Sequence, residues 1–127
     1  MADRQAINTD AAPAAIGPYS QAIKTGNLVY ISGQIPLDPT TMELAGDGIE
    51  EQTHQVFLNL QAVAKAAGAD LNNAVKLTIY LTDLGQFSAI NQIMASYLQK
   101  PYPARATIEV SALPKGAQIE IDAILAV

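Results

Sequence analysis

The chain has 127 residues, half of them hydrophobic and 15% charged, with a net charge of −5 and no cysteine. Such a length and apolar share exclude disorder and suit a single domain, 1–127, with one core and some apolar surface for partners to cover. The missing cysteines exclude disulfides, thiolate nucleophiles and zinc–thiolate sites, and the acidic balance, with Lys24, Lys65, Lys76, Lys100 and Lys115 scattered, leaves no footprint for a phosphate backbone.

The first ten residues lack an apolar signal core and no stretch approaches a membrane span, so a soluble, cytoplasmic protein without a membrane partner is expected. Residues 9–18 are rich in Ala and Pro and end in the turn signal Gly17-Pro18. Tyr19 to Thr25 reads as a strand, and Gly26-Asn27 as a hairpin turn into a second strand, Leu28 to Ser32. Gly33 to Thr41 carries two prolines and reads as irregular, with a short strand near Met42–Leu44. Asp47 and Glu50 resemble a capping box. Ile49, Thr53, Val56, Leu60, Val63 and Ala67 then recur at helical spacing up to the stop signal Gly68.

Val75 to Thr82 alternates strictly, as a strand with one buried face does. Asp83, with Gln86 three residues on, starts a second helix whose apolar stripe is Phe87, Ile90, Met94, Tyr97 and Leu98. The prolines of Lys100-Pro-Tyr-Pro103 end it. Two more strands, about 104–110 and 117–125, flank the loop 111–116. The order β-β-(β)-α-β-α-β-β predicts an α/β layer in which two helices cover one face of a mixed sheet. What covers the other face, solvent or another subunit, stays open.

Arg105 is the only arginine after residue 4 and lies between two alanines in a strand. A guanidinium is planar, permanently charged and shaped to grip a carboxylate with two parallel hydrogen bonds. Alternation puts Arg105, Thr107 and Glu109 on one face, and Gln118, Glu120 and Asp122 on one face of the last strand. Direct pairing of these two strands, with Val110 near Ala117, would set Thr107 opposite Glu120 and Arg105 near Asp122. Two readings follow: a solvated face with ordinary ion pairs, or a site in which Arg105 holds a carboxylate and Glu120 handles a proton or water. His54, the only histidine, reads as a helix-surface residue. Glu109 and Asp122 read as structural partners. No His/Asp/Glu cluster has metal-ligand spacing and no glycine-rich phosphate loop follows a strand.

The segment Pro103-Ala-Arg-Ala-Thr-Ile-Glu-Val-Ser-Ala-Leu113, followed by Ile119-Glu-Ile121, resembles the signature of the RidA/YjgF family of reactive-intermediate deaminases. Ala14 to Gln21, Ile31 to Pro36, Asn59 to Gly68 and Phe87 to Asn91 match in the same order, so the likeness runs from residue 12 to 125. It implies a chorismate-mutase-like, YjgF-type fold with a mixed six-stranded sheet and two helices packed on one face. It also implies a homotrimer with ligand clefts between subunits, and cofactor-free hydrolysis of 2-imino acids, the tautomers of 2-aminoacrylate and 2-aminocrotonate enamines, to 2-oxo acids and ammonia. By this resemblance Arg105 would bind the substrate carboxylate and Glu120 would position or activate water. Tyr19, Ser32, Gly33 and Asn91 would line the site. Thr107 stands where many members have cysteine, which bears on substrate preference. Imine hydrolysis needs mainly orientation, a water and a proton partner. A non-catalytic trimer that binds small carboxylates and regulates another protein is the alternative, and RNA cleavage, attached to some relatives, is disfavoured by the charge.

Overall fold

The computed structural model describes residues 3–127. Six strands form one mixed sheet in the order β1-β2-β3-β6-β4-β5. The strands are β1 Gln5–Ile7, β2 Ala22–Thr25, β3 Leu28–Gln34, β4 Ala74–Leu81, β5 Ala104–Glu109 and β6 Ile119–Ala126. The helices are α1 Ile49–Ala66 and α2 Phe87–Tyr97. The predicted mixed sheet with two helices is therefore the one observed. The turn Gly26-Asn27 joins β2 to β3, with Gly26 at φ +57°. β1 was not anticipated from the sequence, and the strand expected near Met42–Leu44 is only an isolated bridge between Leu37 and Leu44.

Alternation along β4 and β6 decides the layering. Leu77, Ile79, Leu81, Ile119, Ile121 and Leu125 are fully buried and meet Val56, Phe57, Leu60 and Val63 of α1 and Ile90 of α2. Both helices thus lie on one face. Gly68, at φ +79°, lets the chain leave α1 in a left-handed turn. The expected caps differ in detail. Gly48, not Asp47, is the N-cap of α1, without a side-chain bond. Asp83 caps a 3-10 turn, Leu84–Gln86, by accepting from the Gly85 N–H at 2.8 Å, and α2 follows from it. His54 is exposed on α1, where its Nδ1 lies 2.8 Å from the Tyr97 hydroxyl, and Tyr97 stacks on Phe57.

The pairing assumed for the last two strands is overturned. β4 lies between β5 and β6, parallel to the first and antiparallel to the second. Thr107 is aligned with Ile79, and Glu120 with Tyr80. The loop 111–116 crosses from one side of β4 to the other, which a chain-order reading of two adjacent strands misses. The opposite sheet face carries a row of Ile23, Tyr30 and Ile124 across β2, β3 and β6, and further along it Tyr80 and Ile108. Tyr30 and Ile108 are both 44% exposed, so this face, which also carries Glu120 and Asp122, presents an uncovered apolar row in a single chain.

Candidate active site

Arg105 stands on the edge strand β5, facing the helical layer. Phe87 and Asn91 are four residues apart on α2 and so share a face. The guanidinium carbon lies 4.8 Å from the centre of the Phe87 ring, and Nη1 donates to Asn91 Oδ1 at 2.7 Å. The ring orients the guanidinium plane, and Asn91 takes one of its five N–H donors. Arg105 and Asn91 border a cleft of about 500 Å³ with Leu77, Met94, Leu98 and Tyr102. A small carboxylate entering it would meet a cation held in place from two sides.

Glu120 lies half-buried on the other face. Its carboxylate rests on Gly33, where any β-carbon would overlap Oε2 and lie 2.9 Å from Cδ. Gly33 sits where the β3–β6 register shifts, between Ile31 and Gln34, and such an irregularity re-aims a side chain. Ser32, beside it, donates its hydroxyl to the Ser20 carbonyl at 2.6 Å, and its N–H bonds to the Gln21 carbonyl. Tyr19 is 55% exposed and its N–H bonds to the Gly17 carbonyl at 2.9 Å. Tyr19 and Gly33 border a second cleft of about 300 Å³, walled by Ile16, Leu37, Met42 and Pro114.

Burial, and then the negative charge of Asp122, raise the Glu120 carboxyl above the usual carboxylate range. Asp122 in turn accepts from the Tyr80 hydroxyl at 3.1 Å. The Tyr80 hydroxyl is itself raised, by burial first and then by that hydrogen bond and the charges of Asp122 and Glu120. A carboxyl that keeps its proton more readily than usual can donate it to a departing amine or accept one from water.

The structure therefore brings Arg105 to Asn91, and Glu120 to Gly33 with Tyr19 nearby, but keeps the two groups apart. Glu120 aligns with Tyr80, Tyr80 with Ile108, and Arg105 lies three residues from Ile108 along β5. Two strand spacings and three residue rises put the Cα atoms of Arg105 and Glu120 about 14 Å apart, with side chains on opposite faces. Thr107 also faces the helices, away from Glu120, and its buried Oγ1 has no hydrogen-bond partner. Glu109 accepts from the Leu84 N–H at 3.1 Å, as a structural residue would.

Three contributors escaped sequence reading. The alternation of β4 could have flagged Tyr80, but only with the knowledge that β4 adjoins β6. Phe87 fits the apolar stripe of α2, but its ring also carries Arg105. Gln21 is 2% exposed and bonds Thr9, Ala12 and Pro13 through its amide, fixing the segment that leads to Tyr19. Among the described residues, no three His, Cys, Asp or Glu side chains come together to hold a metal, and no helix is long and apolar enough to cross a membrane.

A mixed sheet with an arginine at its edge and a half-buried glutamate on its uncovered face, both bordering or adjoining clefts, defines a small α/β protein of the two-layer kind. The family model described as Endoribonuclease L-PSP matches residues 9–127, and the chain belongs to this family, that of RidA/YjgF proteins. It is 54% identical over 119 residues to a RutC family protein of Sinorhizobium fredii, covering 94% of each chain. It is 48% identical to the 2-iminobutanoate/2-iminopropanoate deaminase of Mus musculus, over 95% of this chain and 90% of that one. The crystal structure of RidA from an Antarctic Psychrobacter superposes with a TM-score of 0.94 at 53% identity, covering 98% of this chain and all of the other.

Proposed function

We propose that the protein hydrolyses short-chain 2-imino acids to 2-oxo acids and ammonia, without a cofactor, in a cytoplasmic homotrimer whose sites lie between subunits. The carrying observation is the separation of Arg105 from Glu120. In a 2-imino acid the carboxylate is bonded directly to the imine carbon. One substrate therefore cannot reach both residues of a single chain across about 14 Å and two faces. A second copy seated on the apolar face of Ile23, Tyr30, Ile108 and Ile124 would cover that surface and supply the missing half. The deaminase name of relatives at 48% identity supports the reaction class.

In this reading Arg105, steadied by Asn91 and Phe87, holds the substrate carboxylate. Glu120, whose carboxyl holds a proton more readily than an exposed one, passes a proton to the imine nitrogen and makes the neighbouring carbon electrophilic. The resulting carboxylate then takes a proton from the attacking water. The carbinolamine collapses to the 2-oxo acid as its nitrogen leaves as ammonia. Tyr19, Ser32 and Gly33 line the Glu120 half, and Thr107 adjoins the Arg105 half. The ribonuclease name of the family model does not transfer readily, since a chain of net charge −5 lacks a basic stripe for RNA.

The test has two parts. A pyridoxal-phosphate dehydratase generates 2-aminoacrylate, and oxo-acid release is followed with and without the protein. Acceleration that is lost in Arg105→Ala and in Glu120→Gln is expected, and unaltered release overturns the reading. Loss of turnover in Glu120→Gln with ligand binding kept separates the enzyme from a mere carboxylate-binding regulator. When the two inactive variants are co-assembled in equal amounts, about a quarter of inter-subunit sites regain both residues. Recovery of about that share of wild-type activity is expected, and no recovery argues against shared sites.

A further inference from the structure

Among the described residues only two non-glycine positions have positive φ: Met42 at 60° and Lys115 at 59°. They lie on different loops, yet Lys115 Nζ donates to the Met42 carbonyl at 3.0 Å. Both border the same 300 Å³ cleft as Tyr19 and Gly33. Left-handed backbone is unfavourable for residues with a β-carbon and persists only where the surroundings hold it. For Met42 the surroundings are visible. The Asp38 carboxylate accepts from Thr40 N–H at 2.8 Å and Thr41 N–H at 3.3 Å, the Met42 N–H returns to the Asp38 carbonyl at 2.8 Å, and Lys115 closes the loop from the other side.

The opposite wall is fixed as firmly, because the buried Gln21 amide bonds the backbone at Thr9, Ala12 and Pro13. Two independently pinned walls face each other across a space lined by Ile16, Leu37, Met42 and Pro114. Its floor at Gly33 is where the Glu120 carboxylate rests. A substrate whose imine carbon lies at Glu120 must send its side chain somewhere, and Ile16, Leu37, Met42 and Pro114 give the adjoining cleft an apolar part.

We propose that Met42, tied in place by Lys115, is a specificity-determining residue that limits the size of the aliphatic side chain this cleft accepts. The inference rests on the imino-acid reading of the Glu120 half-site. Methionine suits the role, since its unbranched thioether fills irregular space and its loss opens room without adding polarity.

The test measures dissociation constants of two product acids, 2-oxobutanoate and the bulkier 4-methyl-2-oxopentanoate, by calorimetry on the assembled protein. In Met42→Ala the affinity ratio of bulky to small acid rises about tenfold over wild type, the usual worth of one or two methylenes in an apolar pocket. Lys115→Gly, which keeps the left-handed turn but removes the ammonium, moves the ratio in the same direction by less. Met42→Gly relieves the backbone strain and serves if the alanine variant folds poorly. A wild type that binds both acids with a ratio unmoved by Met42→Ala or Met42→Gly overturns this inference alone. A wild type that binds neither acid overturns the imino-acid reading and this inference together.

Discussion

Replacing Gly33 by alanine separates the placement of Glu120 from the stability of the sheet. The added β-carbon would overlap Oε2 of Glu120 and approach Cδ to 2.9 Å and Cγ to 3.2 Å, where carbon atoms rest at roughly 3.5–4.0 Å. The carboxyl must therefore retreat by about 1 Å or swing to another rotamer. A displacement of that size costs on the order of 10² in rate, and loss of a proton-transfer group about 10²–10⁴. Gly33→Ala is expected to lower kcat/KM by about 10²–10³, or roughly 3–4 kcal/mol of barrier. The backbone at Gly33 lies outside the left-handed region, so alanine strains no dihedral. Its smaller entropy loss on folding, about 0.4–1 kcal/mol, offsets an off-rotamer glutamate at about 0.5–1.5 kcal/mol. The melting temperature should hardly move. Oxo-acid release and a thermal melt read both quantities. A rate within threefold of wild type refutes the reasoning, and so does a Gly33→Ala/Glu120→Gln double variant whose losses add, because one displaced group cannot be lost twice.

Glu120 also predicts a pH dependence of stability. Its carboxyl is raised in the folded state, by burial first and by Asp122 second. The folded protein thus binds the extra proton, and stability falls as pH rises from about 4.3, the unfolded value, through the raised one. Glu120→Gln should melt higher than wild type at neutral pH and match it in acid, and a difference that grows toward acid pH contradicts the assignment. Asn91→Ala leaves the Arg105 guanidinium without its 2.7 Å partner; KM should rise about tenfold with kcat nearly kept, and the opposite split would remove Asn91 from substrate positioning. Gln21→Ala strips the buried anchor of residues 9–13 and should cost about 2–3 kcal/mol in urea unfolding. A loss under 0.5 kcal/mol would show that those backbone groups find water instead.

The elements were legible because their causes are local. The run Val56, Leu60, Val63 has the period of a helix, and Leu77, Ile79, Leu81 that of a strand with one buried face. The caps were less legible, because Asp83 and Asp47 satisfy local rules that several backbone geometries can meet. Asp83 nucleates a 3-10 turn and Asp47 caps nothing. Asn91 illustrates a mixed outcome: it matched the site motif, but its bond to Arg105 depends on how α2 crosses β5, which no spacing encodes.

Arg105 and Glu120 stood out from the sequence alone, one as an isolated guanidinium and both through the motif that carries them. Alternation along each strand also determined which neighbours share their faces. Only the tertiary structure decided that the two faces are opposite ones. That decision belongs to β4, which lies between β5 and β6, pairs its backbone with both and buries Leu77, Ile79 and Leu81 beneath the helices. Strand order depends on packing between segments far apart in the chain, and a local pattern holds no record of it.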